Sequence, residues 1–204
     1  MDARSIAHAF PVISKQVNRQ QIVVLLQELE LALSSTEAGD IVEFGCYKGT
    51  SSLFIRRLLD EHASKREFHV YDSFEGLPAK APQDASGAGE QFIAGELSTS
   101  KKQLLLEFKK ANLAPPVVHK GWFNDLTSDD VPEAIAFAFL DGDFYDSICD
   151  SLALVLPRLV PHATIVIDDY AREALPGVAK ALKAVAPHLV DTVQVQHNLG
   201  IIRT

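Results

Sequence analysis

A mostly parallel α/β sheet with helices on both faces is the fold this sequence predicts, and three observations carry the prediction. Short β-branched or aromatic runs alternate with helical patterns along most of the chain, each bounded by Gly, Pro or Asp. Several of those runs are almost continuously apolar, as strands buried on both faces must be. The 204 residues, 47% hydrophobic and 23% charged, suffice for one sizeable core. One domain over 1–204 is expected, with a helical N-terminal extension over about 1–38 and a core over 39–204.

The elements follow in order. After a polar start, NRQQIVVLLQELELAL (18–33) repeats its apolar residues at helical spacing and stops at SSTEAGD. This amphipathic helix can pack on its own sheet or on a partner subunit, which leaves a homo-oligomer open. DIVEFG reads as a strand, TSSLFIRRLLDEHA as a helix, EFHVYDS as a strand, KKQLLLEFKKANL as a helix and PPVVHKG as a short strand. EAIAFAFLDGD, DSICDSLALVLPRL, ATIVIDDY and GVAKALKAVAPH continue the alternation, with LVDTVQVQ and GIIRT as closing strands. Residues 74–100 form a connection far longer than the usual few residues, read as a mobile cover over the strand ends, with STS capping the next helix.

Composition excludes some partners. A formal charge of −8, with the nineteen Lys and Arg scattered, argues against a nucleic-acid backbone. No apolar run reaches the roughly 18 residues of a membrane span, and MDARSIAHAF lacks the layout of a signal peptide. A cytoplasmic protein is expected. Cys46 and Cys149 read as buried, reduced thiols.

Ligands of open parallel sheets sit beyond the carboxyl ends of the strands. The first such place is VEFGCYKGTSS (42–52), where Gly45 and Gly49 allow a sharp turn and close backbone approach, and the next helix offers free N–H groups. That suits a carboxylate, while Glu43 suits an amine, and the methionine end of S-adenosylmethionine carries both. The spacing is not the dinucleotide fingerprint. Asp72, closing the next strand, stands where an acid accepts ribose hydroxyls, so the two places together indicate an adenosine-containing ligand.

Asp141 follows AIAFAFL and Asp168 follows TIVI, with one helix between, so a β-α-β crossover can set their strand tips side by side, about 4.8 Å apart. Asp169 adds a third carboxylate. Hard oxygen donors without Cys or His point to Mg²⁺ or a similar divalent ion. The competing reading makes Asp141, Asp143 and Asp146 helix caps. Of the seven histidines, scattered singly, only His119 is a candidate for function.

VEFGCYKGTSS, YDSFEGLP, GWF, LDGDFYDS and IDDY, in this order, resemble the macrocin-type (TylF-like) sugar O-methyltransferases over about residues 40–170. The resemblance implies a Rossmann-like class I methyltransferase fold with a seven-stranded sheet, using S-adenosylmethionine and Mg²⁺. It implies Asp141, Asp168 and Asp169 as metal ligands and Asp143 as general base. Glu43, Gly45 and the following turn with Cys46, Tyr47 and Ser51 would hold the methionine part. Asp72, Ser73 and Phe74 would take the ribose and adenine side, with Trp122 near the adenine and Asp141 also bordering the cofactor. The acceptor would be a hydroxyl of a sugar or sugar-bearing metabolite. Clustered acids also serve Mg²⁺-dependent phosphoester hydrolases, and a catalytically silent binding domain is a further alternative. A nicotinamide dehydrogenase rests on fold analogy alone.

Overall fold

The computed structural model describes residues 1–88 and 90–204; within the 74–100 connection, Gly89 lies outside the described residues. Two helices, α1 (Ala3–Ala9) and α2 (Arg19–Ser35), precede the sheet. Then come β1 (Asp40–Phe44), α3 (Thr50–Glu61), β2 (Phe68–Asp72), α4 (Lys101–Lys110) and β3 (Val117–Lys120). The chain continues through β4 (Ile135–Leu140), α5 (Tyr145–Val155), β5 (Leu159–Ile167), α6 (Gly177–Val185), β6 (Gln194–Gln196) and β7 (Leu199–Arg203). The seven strands lie in the order β3-β2-β1-β4-β5-β7-β6. The first five are parallel, while β7 runs antiparallel to both β5 and β6.

Two short elements differ from the sequence expectation. Helix α1, in the stretch read as a polar start, is capped at its N-terminus by Asp2, whose carboxylate accepts the Ser5 N–H at 2.8 Å. The strand expected over LVDTVQVQ shrinks to β6, because Pro187 opens a 3₁₀ turn that consumes Pro187–Thr192. His197 and Asn198, both at positive φ, then make the two-residue turn into β7.

Period-two alternation sorts the core into two layers. Ile41 of β1 faces α1, α2, α3 and α4, with Phe68, Val70, Phe137 and Phe139 beside it. Val42 and Phe44 face α5 and α6, with Ala138, Leu140, Ile165 and Ile167. The amphipathic helix α2 therefore packs on its own sheet, burying Ile22, Leu25, Leu26 and Leu29. Its Asn18–Gln21 capping box sets the start, and Glu28 clamps it to β7 by accepting from Arg203 Nε at 2.8 Å and Nη2 at 2.7 Å.

The described part of the long connection is docked. Asp84, 1% exposed, accepts the Ala81 N–H at 2.9 Å and the Tyr145 N–H at 2.8 Å. Lys180 Nζ of α6 donates to the Gln83 carbonyl, and Ser86 Oγ donates to the Glu173 carbonyl, fastening the same stretch at two more points. Leu77, Phe92 and Leu97 join the core layer under α5 and α6. A Cβ on Gly177 would sit 1.7 Å from Asp84 Oδ1, so this docking requires glycine there. Ser100 caps α4, its hydroxyl accepting the Gln103 N–H at 3.1 Å, in line with the capping role read from STS. Asp84→Ala strands two half-buried N–H groups and is expected to cost about 1–3 kcal/mol. Urea denaturation checks that figure, and limited proteolysis should cut between residues 78 and 98 faster than in the wild type.

Candidate functional site

Three backbone hydrogen bonds carry the sheet one residue past its strands: Gly45 N–H to Tyr71 O, Asp141 N–H to Phe44 O and Asp168 N–H to Leu140 O, each 2.8 Å. Gly45, Asp141 and Asp168 consequently end β1, β4 and β5 on one common edge. The approach is so close that a Cβ on Gly45, whose φ is +88°, would stand 2.0 Å from the Asp141 carbonyl oxygen. Beyond this edge the chain turns through left-handed conformations at Tyr47, Phe74, Asp143 and Asp169, with φ of +47°, +59°, +59° and +53°. Non-glycine residues there cost roughly 1–3 kcal/mol each and persist where the surroundings impose them, commonly at functional sites. Four strand tips leaving in this way mark one place on the molecule.

A cavity of about 400 Å³ opens over that edge. Gly45, Tyr47, Asp72, Ser73 and Trp122 line one side, and Asp141, Asp143, Asp168, Asp169 and Arg172 the other. Phe92 and Leu97 from the long connection, and Gln16 from the segment before α2, complete the wall. The connection therefore covers the strand ends as the sequence suggests.

Asp72 organises the first turn. Its Oδ2 accepts the N–H groups of Cys46 at 2.9 Å and Tyr47 at 3.0 Å, and its Oδ1 accepts that of Phe74 at 2.7 Å. Gly121 N–H bonds to the Asp72 carbonyl, which brings the next residue, Trp122, to the same wall.

Glu43 is placed differently from the sequence expectation. Alternation along β1 turns it toward α3, fully buried, where Ser51 Oγ donates to Oε1 and Ser52 Oγ donates to Oε2 at 2.5 Å. Its carboxylate is thus spent on the first turn of α3, behind the cavity wall rather than facing an amine. Ser51 shares that buried bond, and Cys46 and Phe74 are buried as well.

Asp141 and Asp168 stand together. Their carboxyls are in hydrogen-bonding contact, and no basic side chain among the described residues is bonded to either. Asp169 instead turns to Arg172, whose Nη1 donates to Oδ2 at 2.9 Å and Oδ1 at 3.1 Å. Accordingly, among the described residues, the acid and imidazole side chains whose ligand atoms all approach within 4.8 Å of one another are Asp40, Glu67 and His69, away from the cavity, and not the three expected aspartates. The capping alternative holds only in part: Asp146 lies in the first turn of α5, but the Tyr145 N–H is taken by Asp84, not by Asp141 or Asp143. His119 stacks on Tyr71 at 4.5 Å between ring centroids, and Tyr71 on Phe44 at 4.4 Å. It belongs to a cross-strand aromatic ladder beneath the edge.

Burial and mutual repulsion raise the clustered acids. Asp143 is pushed up to about 8, first by burial and then by Asp169 and Asp168. Asp168 is raised to about 7 by burial and Asp169, with Gln21 Nε2 donating to its Oδ1 at 2.9 Å. Asp141 is driven well above the usual carboxylate range by burial and Asp168. Glu43 rises to about 7 through burial, against the two serine bonds. Asp141, Asp143, Asp168 and Asp169 around Arg172 are electrostatically underneutralised, and their oxygens are hard donors that fit a divalent cation.

The sequence pattern of the macrocin-O-methyltransferase (TylF) family matches residues 2–189. The 8-demethyl-8-(2,3-dimethoxy-alpha-L-rhamnosyl)-tetracenomycin-C 4'-O-methyltransferase of Streptomyces olivaceus is 33% identical, over 85% of this chain and 66% of its own length. The mycinamicin III 3''-O-methyltransferase of Micromonospora griseorubida is 30% identical, over 83% of this chain and 70% of its own. The chain thus spans about two thirds of the length of these relatives. Among solved structures, the O-methyltransferase NovP superposes with a TM-score of 0.79 at 21% identity, covering 98% of this chain and 86% of that one. A calicheamicin methyltransferase gives 0.74 at 18% identity, covering 98% and 88%. The fold is that of the Rossmann-like class I methyltransferases.

The raised acids set the pH response of the cation-free protein. Folded values near 7 for Glu43 and Asp168 and near 8 for Asp143 exceed the unfolded carboxylate range of about 4, so the folded chain binds more protons in between. Stability falls as pH rises through 7 to 8. In EDTA, the melting temperature should be several degrees higher at pH 5.5 than at pH 8.5. A melting temperature that climbs over that interval contradicts the electrostatics described.

Proposed function

The chain belongs to the macrocin-O-methyltransferase (TylF) family, and on that premise we propose that it transfers a methyl group from S-adenosylmethionine to a hydroxyl of a sugar or sugar-bearing small molecule, with a divalent cation such as Mg²⁺. The observation that carries the reading is the single cavity in which the Gly45–Tyr47 turn and Asp72 face the paired tips Asp141 and Asp168. Both sugar-hydroxyl methyltransferases named above share enough sequence with this chain to support the acceptor class. Family membership weighs against a phosphoester hydrolase or a nicotinamide dehydrogenase, and the paired Asp141 and Asp168 with Asp143 on the same wall weigh against a silent binding domain.

S-adenosylmethionine supplies the methyl group on a sulfonium, and the reaction is an in-line displacement whose rate depends on alignment. In this reading Asp72 accepts from the ribose hydroxyls with the lone pairs its own loop leaves unused, while Ser73 and Trp122 border the adenine. Gly45 and Tyr47 present main-chain groups to the methionine part. Glu43 acts one layer back, holding Ser51 and Ser52 so that the turn keeps its shape. Asp141 and Asp168 would hold the cation, with Asp169 joining if Arg172 swings away. When bound, the cation supplies positive charge beside the acceptor oxygen. Asp143, fixed in its left-handed turn, takes the hydroxyl proton as the bond to the methyl group forms. Phe92 and Leu97 help exclude water.

Calorimetry with S-adenosylhomocysteine and turnover with labelled cofactor on a panel of deoxysugar glycosides test this. Asp143→Asn is expected to keep S-adenosylhomocysteine affinity within about threefold and to lower turnover by about 10²–10⁴-fold. EDTA should abolish turnover and Mg²⁺ restore it. Failure to bind S-adenosylhomocysteine removes the methyltransferase reading; turnover indifferent to EDTA removes the cation.

A further inference from the structure

Gln21 is a buried polar residue whose position in the sequence announces only a helix start. Asn18-x-x-Gln21 is a capping box, and in the structure Gln21 Oε1 accepts the Asn18 N–H at 3.0 Å while Asn18 Oδ1 accepts the Gln21 N–H at 3.0 Å. Because the amide oxygen is committed to that N–H, the amide nitrogen must point the other way. It points at Asp168, donating from Nε2 to Oδ1 at 2.9 Å across 147 residues of sequence. Both partners are buried, each 5% exposed.

The chemistry of this donor is specific. A lysine or arginine here would neutralise Asp168 and compete with a cation for it. An amide fixes the direction of one carboxylate oxygen while leaving the charge available. The helix cap fixes the amide in turn, so the chain of bonds runs from the start of α2 to the tip of β5. Outer partners of this kind commonly contribute about 10–100-fold to metal affinity.

We infer that Gln21 is a positioning residue that orients Asp168 toward the cation, making the first turn of α2 part of the reaction centre. The inference rests on the divalent-cation reading of the proposed function. Titration of the full chain with Mn²⁺ alone, followed by calorimetry, tests it without turnover. Gln21→Met, similar in length and lacking the donor, should weaken Mn²⁺ binding tenfold or more while S-adenosylhomocysteine affinity stays within about twofold. Asn18→Ala loosens the same helix start but spares the amide, and should leave Mn²⁺ affinity within about twofold. Gln21→Leu lacks the same donor, adds no charge and favours the helix, so the test survives if the Met variant does not fold. Mn²⁺ affinity within twofold of wild type in either folded Gln21 variant overturns the assignment, as does an Asn18→Ala loss equal to that of Gln21→Met. A wild-type chain that binds no Mn²⁺ removes the cation reading itself, and this inference with it.

Discussion

The site depends on one backbone constraint: β1, β4 and β5 end in register, and their ladder extends one residue further to Gly45, Asp141 and Asp168. This shared edge sets two carboxylates beside each other and next to the turn that faces them. It also explains why Gly45 must lack a side chain, since the Asp141 carbonyl occupies the space a Cβ would need. Moving β4 by one residue would point Asp141 to the opposite face of the sheet. The hydrophobic alternation that fixes the register of the core is therefore also what aims the acids.

The arrangement is held against resistance. Four non-glycine residues leave the strand tips at positive φ, and four acids crowd around a single arginine. Both features oppose folding, and the surrounding contacts offset them. Asp84 pins the long connection to the start of α5, Asp72 gathers three N–H groups of the flanking turns, and Gln21 braces Asp168 from below. The charge imbalance that makes the cation-free site costly is also what would draw a cation into it.

Much of this was legible in the sequence because it follows from local periodicity. The alternation of strands and helices gave the α/β sheet, and one helix between Asp141 and Asp168 made their strands neighbours. Other features needed more than spacing. Glu43 lies two residues from Ile41 on the same strand, so period-two alternation already turns it into the α3 layer; reading it by its nearness to Gly45 aimed it at the ligand instead. Asp169 meets Arg172 three residues on, a partner visible in the sequence but outweighed by the cluster of acids. Asp84 lay inside a long connection with no periodicity to place it. The contact of Gln21 with Asp168 is set by how α2 crosses the sheet, which no local pattern encodes. The β6 strand was overread because Pro187 imposed a tight turn on residues of high β propensity.

The most direct test of the account is anomalous diffraction from crystals grown with Mn²⁺ and S-adenosylhomocysteine. The account predicts one strong peak about 2.2 Å from oxygens of both Asp141 and Asp168, on the side of the cavity facing the bound thioether. A peak at Asp40, Glu67 and His69 instead, or S-adenosylhomocysteine seated over the strand tips with no ion beside those two acids, would contradict it.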